Sequence, residues 1–245
     1  MGNSKNFVLV TGDVLLAVDI IHRSGHASED SAYDPADRLT LYRQSGGAWH
    51  MTKILHAMKV CSEECQSWSL LGVDDKNIGD VNRLTQAIAI WRKHPESKDD
   101  AKICIVKYLG TAEGFSSDIS KMLPAFPGAE DGEVKLAIII EDGVGTWEKA
   151  NFTGLLDKAA RAEQPPWILW KPRKLERDRS FGALAERSIA VLSIDVLRSA
   201  GPRVGHGQSW ESMAHEIVAA VSQHEVLRAL RWVVISVPSV GALLV

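Results

Sequence analysis

The sequence lacks any apolar run long enough to span a membrane, since charged or polar residues interrupt every hydrophobic stretch well short of the ~20 residues a spanning helix needs. It lacks a secretory leader as well: Met1-Gly2-Asn3-Ser4-Lys5-Asn6 leads directly into a strand-like run without a small-residue cleavage site. Asn6 also stands where a myristoylation signal requires Ser or Thr, which excludes that anchor. These absences place the chain in the cytoplasm by default and predict no membrane partner. Cysteine is scarce, with Cys61, Cys65 and Cys104 making an odd number that suits a reducing compartment better than a disulfide framework. Cys61 and Cys65 follow His50 and His56, but the spacing is poor for structural zinc, and Met51, Ile54, Leu55 and Met58 mark the stretch as a core-facing helix, so no metal site is expected. Charge of one sign is scarce too: 28 basic against 31 acidic residues give −3, too small a field to gather a polyanion, so no nucleic-acid partner is expected. There is no Gly-x-Ser-x-Gly, no Gly-x-x-x-x-Gly-Lys, and no third glycine after Gly143-Val144-Gly145, which disfavours serine hydrolases, P-loop ATPases and dinucleotide enzymes.

What remains is an ordinary globular composition in which 45% of residues are hydrophobic and 24% charged, enough to bury a core over 245 residues without staples. Apolar strands alternate with amphipathic helices. Strands are predicted over residues 7–10, 67–73, 103–109, 134–140, 167–170, 189–193 and 232–237, and helices over 48–60, 78–93, 146–163 and 209–229. The alternation predicts an α/β fold, a three-layer sandwich with a mostly parallel central sheet, helices on both faces and right-handed crossovers between consecutive strands. The whole of 1–245 reads as a single domain, incomplete at its C-terminus, with the polar segment 23–43, containing Asp34-Pro35, as a loop or a short lid hairpin. Ser209 is placed to cap the helix that follows it. Trp147, Trp167, Trp170 and Trp232 flank strands or open helices and are expected to fill the core. The last residues read as strand, turn, strand, leaving an edge that further chain or a partner would cover, an oligomer included.

Val10-Thr11-Gly12-Asp13-Val14 ends the first strand on a glycine and an acid, a sequence that suits close approach of backbone to a ligand at the C-terminal edge of a sheet. Asp13 either orients a ligand hydroxyl or caps the turn. Gly46-Gly47-Ala48-Trp49-His50 opens a helix, either as a plain turn or as a ligand contact, and His50 is either a helix histidine or a ligand contact. Lys171-Pro172-Arg173-Lys174 puts cations just past a strand end, where an anion could dock or where the charges are merely solvated.

In series these motifs resemble those of the ribokinase-like (PfkB) carbohydrate kinases over nearly the whole chain. The Gly12-Asp13 turn resembles the opening of that family, and Ser45-Gly46-Gly47-Ala48-Trp49-His50 its Gly-Gly-Ala-x-Asn signature, with His50 in place of the sugar-binding asparagine. Ile138-Ile139-Ile140-Glu141-Asp142-Gly143-Val144-Gly145 is similar to the Ser-Asp-Tyr-x-x-Gly turn of its heptose-kinase branch, Trp170-Lys171-Pro172-Arg173 to Asp-Pro-Lys, and Ile235 to Gly241 to the Val-Thr-Leu-Gly-x-x-Gly segment that lies against the nucleotide. The resemblance implies substrate contacts at Asp13, Asp19, Gly46, Gly47 and His50, and nucleotide or phosphate contacts at Lys171, Arg173, Asp195, Arg198, Ser236 and Gly241. It implies ATP and Mg2+ as cofactors and a nucleotide or sugar phosphate as ligand. The chemical positions depart from the pattern. Ala17 fills the place of a substrate-binding aspartate, with Asp19 two residues later. Asp195-Val196-Leu197-Arg198 carries a cation where the family's Asn-x-x-Glu has the acid that orders magnesium. No Gly-Ala-Gly-Asp supplies the anion cradle and base. No catalytic residue is therefore assigned. The expectation is a binding or regulatory module, a degenerate or truncated kinase, and the alternative an active kinase whose catalytic segment lies outside these residues.

Overall fold

A computed structural model describes residues 6–23, 38–58, 68–71, 86–93, 102–109, 133–141, 149–176, 179–201, 204 and 209–245. The strands form two sheets. The first has seven: β1 (Asn6–Gly12), β4 (Trp68–Leu71), β7 (Glu133–Ile140), β8 (Trp167–Lys171), β9 (Ser188–Ser193), β10 (Trp232–Val237) and β11 (Gly241–Leu244), in the spatial order β11-β10-β9-β8-β7-β1-β4. Six of these run parallel, and only β11 at the edge is antiparallel, to β10. The second sheet has the order β3-β2-β6-β5 and is antiparallel throughout, from β2 (Val14–Arg23), β3 (Arg38–Gly46), β5 (Gln86–Lys93) and β6 (Lys102–Leu109).

Both faces of the large sheet are buried at its centre, so β1 and β7 read as continuous apolar runs rather than as an alternation. Phe7 and Leu9 join one cluster and Val8 and Val10 the other. Helix α1 (Gly47–Ala57) packs on the second face through Ala48, Met51 and Leu55. Helices α2 (Lys149–Ala160), α3 (Ile194–Ser199) and α4 (Trp210–Gln223) pack on the first through Leu155, Leu156, Ala159, Leu197, Ile217 and Val221. The fold is thus α/β, with a mostly parallel sheet and helices on both faces. Ser193 caps α3 and Ser209 caps α4, each side chain accepting from a backbone N–H of the first turn.

One irregularity sets which face each residue takes. Phe7 pairs with Val134 but Val8 pairs with Leu136, so Lys135 is an extra residue in β7. A regular strand would point Lys135 into the cluster that holds Ala137 and Ile139. With the bulge, Val134 takes that place and the lysine reaches the surface, where its Nζ lies 2.7 Å from Gln164 Oε1.

Several sequence expectations are corrected. The helix predicted over 78–93 is strand β5 in its described part, because Ala87-Ile88-Ala89-Ile90-Trp91 satisfies a helical stripe and a strand alternation alike and the ladder to β6 decides between them. The strand at 103–109 forms, but in the antiparallel sheet. The segment 23–43, read as a loop or a lid hairpin, begins at the end of β2 and finishes within β3, strands that pair antiparallel with Arg23 opposite Arg38, and its middle lies outside the described residues. The helix starting after Ser209 stops at Gln223, and only a short 3₁₀ turn, Leu227–Ala229, follows. Ile54 and Met58 are exposed, because α1 meets the sheet along the line of Ala48, Met51 and Leu55. Trp170 is fully buried as expected, but Trp167 and Trp232 are 40% and 39% exposed, since both occupy a part of the sheet face that α1 does not reach. Trp147, Cys61 and Cys65 lie outside the described residues. Among the described residues no helix is long and apolar enough to cross a membrane.

Candidate functional site

Because the six parallel strands share one direction, their C-terminal ends line a single edge, and the residues following them are neighbours in the order of the strands. Asp13 follows β1, Glu141 follows β7, Lys171 ends β8, Ser193 ends β9 and Ser236 lies near the end of β10.

At the β1 end the turn is built from backbone. Gly12 has φ +118, and a Cβ there would lie 2.1 Å from the carbonyl oxygen of Ile140. The glycine, expected to admit a ligand, instead admits the neighbouring strand. Asp13 is buried, its N–H donates to Ile140 O at 2.7 Å, and its carbonyl accepts from Ala48 N at 2.7 Å. That last bond joins the start of α1 to the strand end. Gly46 is the N-cap residue in extended conformation, and Gly47, with φ +63, begins the helix in a region that favours glycine. The pair does open a helix at the edge. His50 is exposed on α1, where Lys53 Nζ lies 4.5 Å from the centre of the Trp49 ring.

At the other end, Asp195 and Arg198 form an ion pair at 3.2 Å within α3, and Arg198 Nε lies 3.4 Å from Val204 O. The cation read as a phosphate contact thus already has an acid and a carbonyl beside it. Ser236 donates from Oγ to Leu192 O at 3.4 Å, and Gly241, with φ +147, starts β11 after the turn. Lys171 at the end of β8 and Arg173 just past it are exposed, midway along the edge. The structure therefore sets the substrate candidates Asp13, Gly46 and Gly47 at the β1 end, with the nucleotide candidates spread along the strands beyond it. Lys171 and Arg173 follow two strand spacings from β1, about 10 Å, and Ser236 four, about 19 Å. Asp19 is not with them. It lies six residues further along β2, in the second sheet opposite Tyr42 and Ile105, about 20 Å of strand from Asp13.

Between the ends lies a cluster of Glu141, Trp170 and Arg179, none of them assigned to a site from the sequence. Glu141 is 8% exposed; its Oε2 accepts from Trp170 Nε1 at 3.1 Å and its Oε1 lies 3.1 Å from Arg179 Nη2. Arg179, itself buried, reaches Glu176 at 3.4 Å through Nε. Burial pushes the Glu141 carboxyl above its ordinary value; Arg179 and the Trp170 bond oppose this, while Asp13 and Glu176 add to it. The sequence signal for Glu141 is an acid directly after the apolar run 136–140, the same arrangement as Asp13 after β1. Arg179 carries no such signal, because only the fold brings it to β7. Asp142 to Gly145, the rest of the turn resembling a family motif, lie outside the described residues.

The Glu141 oxygens lie beside an indole and a guanidinium, and among the described residues no three His, Cys, Asp or Glu side chains converge.

No family model and no curated protein matches the sequence. Among solved structures, the chain is similar to a ribokinase from Cryptococcus neoformans var. grubii serotype A, crystallised in complex with ADP, at 10% identity and a TM-score of 0.47, over 100% of this chain and 76% of that one.

Proposed function

We propose that the chain is a ribokinase-like domain that binds a nucleotide or sugar phosphate in a sensing or regulatory role, and that residues 1–245 are by themselves not a competent phosphotransferase. The observation that carries this reading is the placement of Asp13, Gly46 and Gly47 at one end of a parallel-sheet edge, with Lys171, Arg173, Asp195, Arg198, Ser236 and Gly241 along the rest. A span of about 10 Å from Asp13 to Lys171 and about 19 Å to Ser236 fits an elongated ligand, or two ligands side by side, rather than one sugar. Lys171 and Arg173 provide the exposed positive charge that a phosphate requires. The motif series read in the sequence adds the family. Phosphoryl transfer would need an anion cradle, a base and a metal-ordering acid, and the matching positions supply none of them.

A ligand bound only by the folded state raises its melting temperature. Millimolar ATP, ADP or a sugar phosphate is expected to raise it by several degrees, with no phosphate transferred to any sugar in a coupled assay. Replacing Gly47 by leucine should remove the shift while the fold persists, at about 1–2 kcal/mol for the left-handed backbone. A panel without any shift would refute the binding reading. Turnover of ATP with a sugar would favour the alternative, an active ATP-dependent kinase.

A further inference from the structure

We propose that the chain pairs with a second copy of itself through the outer edge of β11, the two strands running antiparallel about a two-fold axis at Leu243. Val233 and Val245 exchange both backbone bonds, at 2.9 and 2.8 Å, in the ladder that sets Ile235 opposite Leu243 and Val237 opposite Gly241. Bonding direction alternates along an antiparallel strand, so the N–H and C=O groups of Ala242 and Leu244 face away from β10. β11 ends the large sheet, and among the described residues no strand pairs with that outer side. The usual guards of an edge are missing there as well. Val240 to Val245 contains no charged side chain and no proline, the pairing with β10 runs without a bulge, and Val240 and Leu244 are 55% and 60% exposed.

The edge is complementary to itself. With Leu243 opposite Leu243 of the second copy, Ala242 stands opposite the second copy's Leu244 and Leu244 opposite its Ala242, so every outward N–H and C=O of these residues finds a partner. The side chains agree with this register. Leu244, on the same face as Val234 and the exposed Trp232, meets the small Ala242, while Leu243 and Val245, which pack at the margin of the large core cluster, meet Leu243 and Gly241. Because the strand carries no charged side chain, two copies meet without like-charge repulsion. One short strand per copy buries less than the ~1,200 Å² at which standard interfaces begin, so the pairing is reversible, with single copies prevailing at low micromolar concentration.

Light scattering on the ligand-free chain is expected to give the mass of one copy at about 5 µM and to approach that of two at about 500 µM. Ala242→Pro removes an outward N–H, spares the bonds to β10 and should abolish the association. Leu244→Lys, at an exposed position, should weaken it about tenfold without disturbing the single copy. Under mild oxidation Leu243→Cys should form a linked pair, since opposed residues of a non-hydrogen-bonded pair have Cα atoms about 4.5 Å apart. Leu244→Cys lies diagonal to its own copy at about 7–8 Å and should give no more than the wild-type background. Three results would each overturn the pairing: the mass of one copy over the whole range, association undiminished in both edge variants, or linkage at Leu244→Cys rather than Leu243→Cys. The second of these would move the contact to another surface, such as the face that exposes Trp167. Leu244→Lys and the cysteine variants carry the test if the proline variant does not fold. No nucleotide takes part, so the outcome is separate from that of the ligand panel.

Discussion

Replacing Gly12 by alanine should lower the unfolding free energy by about 3–5 kcal/mol, with strain and forced movement of packed backbone both contributing. The methyl group would lie 2.1 Å from Ile140 O, 2.7 Å from Ile140 N and 2.8 Å from Ile140 C, all backbone atoms of a central strand with no rotamer to change. The φ of +118 is costly for any other residue. Relief would require parting β1 from β7, which breaks the 2.7 Å bond from Asp13 N to Ile140 O and disturbs the bond that anchors α1. Gly154→Ala is the matched control. It lies in α2 with nothing within 4 Å of its added methyl and should stabilise by about 0.5–1 kcal/mol. Urea titration of both variants measures the contrast, and a loss below about 1 kcal/mol at Gly12 would mean that the strand ends have slack.

Trp170→Ala should cost about 3–5 kcal/mol, the range for removing a large buried aromatic side chain. The indole is fully buried, packs edge-on against Phe181 and donates to Glu141. Trp170→Phe separates these roles, because it keeps a ring and loses the donor, at about 1–3 kcal/mol. Its cost should depend on pH in a defined direction. The folded pKa of Glu141 lies above the unfolded value, so the stability tied to its protonated form is fully present below the unfolded pKa and is lost as pH rises through the folded one. Removing a donor that favours the ionised form raises the folded pKa further, which makes the variant's deficit larger at pH 8 than at pH 5. Denaturant titrations at the two pH values decide the point, and an equal deficit at both would assign Trp170 to packing alone.

The large sheet was legible because its strands are short apolar runs set off by turn residues: Trp232–Val237 carries the bounds read from the sequence, and the α1 and α4 starts follow from Gly46-Gly47 and Ser209. The antiparallel sheet was not. Val14-Leu15-Leu16 continues the apolar run of β1, and nothing local reveals that the chain leaves one sheet at Asp13 and enters another. Which strands pair is a property of distant segments meeting, and periodicity does not encode it. The site divides in the same way. Asp13 and Gly47 could be read from local punctuation, whereas Arg179 becomes visible only when the fold sets it against Glu141.

The extra residue in β7 makes chain length negotiable at one point of the central sheet. Lys135 has no partner of its own in the ladder to β1, so a variant lacking it would leave Val134 beside Phe7 and Leu136 beside Val8, with every downstream side chain still on its own side. Such a variant should unfold within about 1 kcal/mol of the parent, because it loses only surface contacts. Removing Ile138 instead would exchange inside and outside for the residues before it, and that protein should not fold. Natural relatives one residue shorter at this point could therefore share the fold.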